Sequence, residues 1–174
     1  MKDAPSLFNI PTENLERNID LMDLLSKQTF ALDHYLASEY KPKENALLIR
    51  ILDDGQKYNI FKFKSQYQNV LEVSFDDLSY DDLNIISKES IEKEHIKIFS
   101  EELALKIINF LNKNPNASQI VVHCNAGISR SVAVALFVAK HYFKNEELFN
   151  KIMRCKSYEP GGNKLVFDTL EKLN

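Results

Sequence analysis

Residues 121–131 read Val-Val-His-Cys-Asn-Ala-Gly-Ile-Ser-Arg-Ser, "VVHCNAGISRS". An apolar, β-branched run over Gln119 to His123 predicts a buried strand. It stops at a thiol, passes through small polar residues and resumes after Arg130 as "SVAVALFVAKHYF", which predicts a buried helix to about Phe143. A strand, a tight loop and a helix start in direct succession form half of a parallel βαβ unit.

The surroundings repeat that alternation. "ALLIRIL" at 46–52 has the length and composition of a strand and is closed by the turn signal Asp53-Asp54-Gly55. "NVLEVSF" at 69–75 predicts another strand, running into the acidic segment "DDLSYDD" at 76–82. "YNIFKF" at 58–63 alternates and predicts a short edge strand. Ile96 to Leu111 carries Phe99, Leu103, Ile107 and Phe110 on one helical face. Two further helices, near Glu146 to Arg154 and Lys164 to Leu173, flank "KSYEPGGN". At the N-terminus a loose arm with Pro5 and Pro11 leads to a helical pattern over Asn14 to Leu25. A second helical pattern spans Phe30 to Tyr40 and ends where Lys41-Pro42 forbids continuation. These features predict an α/β single domain, with a mainly parallel central sheet of about four to five strands flanked by helices and an extra N-terminal helical segment. In such sheets ligands bind at the carboxyl ends of the strands.

Composition narrows the function classes. At 174 residues with 44% hydrophobic content the chain suits one core, and a net charge of −3 gives no broad electrostatic grip on nucleic acid or acidic lipid. Any anion site is therefore local. The chain has no apolar stretch of the length a membrane span requires, and "MKDAPSLFNIPTEN" lacks the apolar core of a secretory signal, so a cytoplasmic protein is expected. Its two cysteines, Cys124 and Cys155, sit in no Cys-x-x-Cys or Cys/His cluster. Free thiols are expected rather than a disulfide or a metal site, with Cys155 read as a half-buried helix residue. His34, His95 and His141 read as surface or packing residues.

The loop after the strand at 119–123 has its own chemistry. Its backbone N–H groups and the first N–H groups of the following helix converge on one point, which makes an anion site. The thiol of Cys124 enters that site from one end. A helix start and a neighbouring guanidinium are the surroundings that favour a nucleophilic thiolate. Arg130 closes the loop and can grip two oxygens of a phosphate in a bidentate fork. Ala126 and Gly127 let the backbone curl closely around the anion. Asn125, Ile128 and Ser129 complete the set of amide donors. Ser131 can donate its hydroxyl to the thiolate, and His123 is placed to orient the loop rather than to act as a base.

"HCNAGISRS" resembles the His-Cys-x5-Arg-Ser/Thr signature of the cysteine-dependent protein tyrosine and dual-specificity phosphatases, in the form typical of the compact dual-specificity branch. The layout from Ala46 to Leu173 is similar to that of small bacterial and phage tyrosine phosphatase-like proteins. The resemblance implies a phosphatase-like catalytic domain over 41–174, with residues 1–40 an arm and helices packed on it. It also implies a general acid on the loop after a neighbouring strand. Aligning strand ends puts Asp77 there, with Asp76 next and Asp81 and Asp82 behind. The segment Leu78 to Ile98 is longer than the compact enzymes usually have. Gly161-Gly162-Asn163 resembles the turn whose Asn side chain supports the phosphate loop, which implies that role for Asn163.

The implied reaction is hydrolysis of a phosphomonoester, phosphotyrosine first and phosphoserine or phosphothreonine left open, through a phosphocysteine and without cofactor or metal. A monomer acting on a phosphorylated protein or a small phosphoester is expected, with no nucleic acid or membrane partner. A phosphate-binding pseudophosphatase is the alternative from another class. An RNA 5′-triphosphatase or a phosphoinositide phosphatase remains as an enzymatic alternative, disfavoured because residues 125–129 carry no lysine or arginine.

Overall fold

A computed structural model describes residues 28–53, 61–155 and 161–174. The sheet consists of β1 (Thr29–Leu32), β2 (Ala46–Leu52), β3 (Asn69–Ser74) and β4 (Gln119–His123), ordered β1-β4-β2-β3, and every pairing is parallel. β4, which leads into Cys124, is therefore central, with β1 and β3 at the edges. All residues of β4, and those of β2 except Leu52, are buried. This burial on both faces explains why their sequences are continuous apolar runs rather than alternating ones.

The helices are α1 (His34–Glu39), α2 (Tyr80–Ile85), α3 (Lys88–Lys93), α4 (Glu101–Lys113), α5 (Arg130–Phe137), α6 (Glu146–Cys155) and α7 (Lys164–Leu173). α5 packs on β1 and β4, α4 meets β3, α6 meets β1, and α7 bridges α4 and α5. α5 is buried along its whole length, which accounts for "RSVAVALF" having no polar face. A π-helical turn, Val138–Tyr142, continues it, with Phe143 N–H bonded to Val138 O at 3.0 Å. The buried core joins Phe30, Leu48, Ile49, Val121, Val134 and Leu170 across these layers.

The four-stranded parallel sheet and its flanking helices agree with the expected α/β class; some element boundaries do not. Phe30 to Leu32, read within a helical pattern over Phe30 to Tyr40, belong instead to the edge strand β1, paired from Thr29↔Ile120 to Leu32↔His123. Four consecutive buried residues are compatible with either a helix or a strand, so periodicity could not separate them. Asp33 marks the true boundary. Its side chain accepts from Leu36 N–H at 2.8 Å and caps α1.

The helix expected from Ile96 begins at Glu101. Ser100 caps it by accepting from Leu103 N–H, while Phe99 is buried ahead of the helix against Phe75, with ring centroids 4.6 Å apart. Residues 78–98 hold the short helices α2 and α3, each started by a serine cap. Within "YNIFKF", Phe61 to Phe63 do not form a strand, and Tyr58 to Ile60 lie outside the described residues, as does the helical pattern over Asn14 to Leu25. No described helix is long and apolar enough to cross a membrane.

Candidate active site

Because all four strands run the same way, the segments that follow them emerge at one edge of the sheet. Asp33 follows β1, Asp53 follows β2, Phe75 to Asp77 follow β3, and Cys124 follows β4. The candidate site is built where these segments meet.

The loop from Cys124 to Arg130 curls against the corner between β1 and α1. His34 N–H donates to Asn125 O at 3.1 Å. Gly127 has φ +67°, and a Cβ there would lie 2.3 Å from the Asp33 nitrogen. Only glycine fits both that conformation and that approach. Within the loop, Gly127 N–H donates to Cys124 Sγ at 3.3 Å, and Sγ lies 3.1 Å from Ser131 Oγ. Both the thiol and the Ser131 hydroxyl are buried. Ser129 stands at the N-cap of α5 without capping it, because its hydroxyl donates to Asp77 Oδ1 at 2.7 Å.

Arg130 is buried at the start of α5. Its Nη1 donates to Phe75 O at 2.8 Å and pairs with Asp53 Oδ1 at 2.6 Å. Among the described residues its buried Nε has no hydrogen-bond partner, and it lies 3.9 Å from Asp77 Oδ2. A buried guanidinium N–H with no acceptor is costly.

The carboxylates of the acidic segment occupy different positions. Asp77 Oδ1 accepts from Ser129 and also from Asn163 Nδ2 at 2.8 Å, which leaves Oδ2 as the oxygen nearest Arg130. Asp76 accepts from Lys97 N–H at 2.7 Å and its own N–H donates to Lys97 O, so it fastens the segment to the chain ahead of α4. Asp82 belongs to the capping box of α2 with Ser79, a bond that holds its carboxyl below the usual range. Asp81 is exposed on the first turn of α2.

Asn163 ties three parts together. Its N–H donates to Ser129 O at 3.2 Å, its Nδ2 reaches Asp77 and Leu78 O, and its Oδ1 caps α7 through Val166 N–H. Gly162 precedes it at φ +64°, and a Cβ there would sit 2.6 Å from Ser129 O. The turn at 161–163 therefore packs directly on the loop.

His123 heads a row of side chains that sequence reading missed. The register aligns Glu72, Arg50 and His123 on neighbouring strands. Lys64 and Arg50 both pair with Glu72, and Arg50 Nε donates to His123 Nε2 at 3.3 Å. Since arginine only donates, the His123 proton resides on Nδ1, 3.4 Å from Cys124 O. Phe61 covers the row, stacked on His123 at 5.0 Å and lying 4.6 Å from the Arg50 guanidinium. An arginine in the middle of "ALLIRIL" was the available signal, because a buried charge requires a partner on an adjacent strand. Asp53, read only as part of a turn, was also missed.

Burial pushes the His123 pKa down from 6.5 to about 4, against the opposing hydrogen bond to Cys124 and with further lowering from Arg50. A histidine kept neutral in the folded state binds fewer protons than the unfolded chain between these two values. Stability is therefore full above about pH 6.5 and falls as the pH drops towards 4, by on the order of 3 kcal/mol. Urea unfolding at pH 7, 5.5 and 4.5 measures this loss, which should flatten in His123→Asn. A pH-independent midpoint over that range would contradict it.

Two solved structures align over most of the chain. "Crystal structure of Tk-PTP in the active form" has a TM-score of 0.52 and 16% identity, covering 86% of this chain and 92% of that one. A human tyrosine phosphatase-like serine/threonine/tyrosine-interacting protein has a TM-score of 0.50 and 14% identity, covering 83% and 89%. The fold is phosphatase-like. A family model described as the Rit1 DUSP-like domain matches residues 87–167, less than half of the chain; the match includes Cys124, Arg130 and Asn163 but excludes Asp77. No curated protein matches. Among the described residues, no group of three or more His, Cys, Asp and Glu side chains is placed to hold a metal ion.

Proposed function

We propose that this protein is a cysteine-dependent phosphomonoester hydrolase of the tyrosine or dual-specificity type. The observation that carries the reading is a buried thiol, bonded to Gly127 N–H and Ser131, at one end of a loop whose other end carries a guanidinium with a buried Nε that has no partner among the described residues. Cys124 as thiolate attacks phosphorus. The bond to the ester oxygen breaks as Asp77, in its acid form, delivers a proton to that oxygen through Oδ2. The resulting phosphocysteine is hydrolysed by water, which gives a proton back to Asp77 as phosphate forms, and Ser131 stabilises the departing thiolate. Arg130 and the amides of residues 125–130 hold the transferring group, so the chemistry draws on no metal or cofactor. His123 and Asn163 position the loop, and Asn163 with Ser129 also positions Asp77.

A phosphotyrosine protein or a small aryl phosphoester suits the site better than a polyphosphate. Residues 125–129 contribute no base, and Asp53 and Asp77 add negative charge beside Arg130. The test is hydrolysis of an aryl phosphate in the presence of EDTA. Turnover that vanadate inhibits is expected. Turnover that requires added magnesium would overturn the reading. Binding of oxyanions without any turnover would favour the pseudophosphatase alternative, a phosphate-dependent binder.

A further inference from the structure

We infer that Arg50 is a positioning residue for the loop that begins at Cys124: it bridges Glu72 and His123 across three strands and so sets the ring that holds the Cys124 carbonyl. The inference rests on the proposed phosphatase reading.

A cation inside a buried strand needs a reason. Arg50 is the one charged residue of β2, its side chain is 6% exposed, and the Phe61 ring lies 4.6 Å from its guanidinium. Neutralising Glu72 is not reason enough. That carboxylate has a side chain 42% exposed and already accepts from Lys64 Nζ at 2.7 Å, and an apolar residue at position 50 would spare the cost of burying a charge. The other bond of Arg50 reaches the site. The register puts Arg50 between Glu72 on β3 and His123 on β4. Nη1 donates to Glu72 and Nε donates to His123 Nε2 at 3.3 Å, so one planar fork serves both neighbouring strands. A lysine, with a single nitrogen, lacks that span.

The consequence passes through the peptide that follows the thiol. With Nε2 engaged as acceptor, the ring proton is on Nδ1, 3.4 Å from Cys124 O. In a trans peptide the carbonyl and the next N–H point to opposite sides of one rigid plane, and no described peptide is cis. Holding Cys124 O therefore directs the N–H of Asn125, the first of the loop amides, away from His123. His34 N–H holds the following carbonyl, Asn125 O, in the same way at 3.1 Å. The first two peptide planes of the loop are thus fixed from outside it, one by α1 and one by Arg50 through His123.

A role in stability alone and a role exerted through His123 predict different results. The test measures kcat/KM on an activated aryl phosphate, per folded molecule by circular dichroism, for the wild type, Arg50→Met, His123→Ala and the double variant. Methionine keeps an apolar stem and removes both bonds. Arg50→Met should lose about 10-fold, and the double variant should be no slower than His123→Ala, because the ring through which Arg50 acts is already gone. Nitrogen NMR spectra of the imidazole rings, with His123 assigned by its absence from His123→Ala, give a second readout. The wild type should carry the proton on Nδ1, and Arg50→Met should show both tautomers. The ring should also titrate at higher pH in Arg50→Met, since a nearby cation is lost while Glu72, His34 and Lys64, the other charged or titratable groups around it, are kept. Losses that multiply in the double variant, an Arg50→Met rate within twofold of wild type, or a His123 ring unchanged in tautomer and titration would each overturn the inference and leave the phosphatase reading intact. Absence of vanadate-sensitive turnover in the wild type would instead overturn that reading, and this inference with it.

Discussion

Cys124→Ser should abolish vanadate-sensitive turnover of an aryl phosphate, a loss on the order of 10⁶-fold if the nucleophile acts as one unit with its partners. A serine hydroxyl is not ionised at neutral pH, and no described base sits against Sγ to activate it. Cys124 Sγ has Gly127 N–H and the Ser131 hydroxyl as neighbours, both of which favour an anion already formed and neither of which removes a proton. The substitution is nearly isosteric at a position 2% exposed, so the fold should survive. The loop amides and Arg130 are unchanged, and oxyanion binding should survive as well. Tungstate should therefore raise the thermal midpoint of both proteins, since a ligand bound only by the native state stabilises it. Retained turnover in Cys124→Ser would place the nucleophile elsewhere. Loss of the tungstate shift along with activity would mean that the substitution had collapsed the loop, and the separate nucleophilic role of the thiol would lose its support.

How much of this site was legible in the sequence depended on whether its parts were local. The loop from Cys124 to Arg130 is one continuous segment between a strand and a helix, so its place in the fold could be read directly from residue order. Strands β2 and β4 were equally plain, because buried parallel strands are apolar throughout, whereas β3 is a partly exposed edge strand. Residue order could not separate Asp76, Asp77, Asp81 and Asp82, which are alike in sequence and differ in what they touch. Asp76 is tied to Lys97 and Asp82 to Ser79, contacts that depend on where the segment 78–98 turns back. Asp53 and Arg50 were missed for a related reason. Their partners, Arg130 and His123, lie more than 70 residues away in the chain, and only strand order and register bring them together.

The edge strand β1 shows how a local ambiguity spreads. "TFAL" fits a helix or a strand, yet as a strand it brings Asp33 and His34 against the loop, where His34 N–H holds Asn125 O and the Asp33 backbone approaches Gly127. Gly127 is therefore required by a neighbour that the sequence reading had placed in another element. The glycine pair at 161–162 behaves in the same way. Its turn was visible in the sequence, but the reason for Gly162 is the carbonyl of Ser129 beneath it.

Asp77→Asn should cost roughly 10²–10⁴ in turnover of a phosphotyrosine peptide and much less on an activated aryl phosphate. A phenolic oxygen such as that of tyrosine leaves badly as an anion, whereas an activated phenolate departs almost unaided, so the benefit of a proton donor scales with the leaving group. Asparagine keeps the oxygen that accepts from Ser129 and Asn163, so the loop geometry should persist and substrate affinity with it. The fall should therefore appear in kcat rather than KM. Asp76→Asn, Asp81→Asn and Asp82→Asn are the controls. The bonds of Asp76 to Lys97 predict a loss of loop stability that affects both substrates alike, and Asp82 predicts weakened capping of α2. A leaving-group-dependent loss in one of these three, with Asp77→Asn close to wild type, would assign the acid to that residue. The same oxygen that accepts from Asn163 also makes Asp77 sensitive to Asn163→Ala, which removes a donor and an α7 cap together. A smaller loss with the same dependence on leaving group in Asn163→Ala is what a misdirected acid would produce.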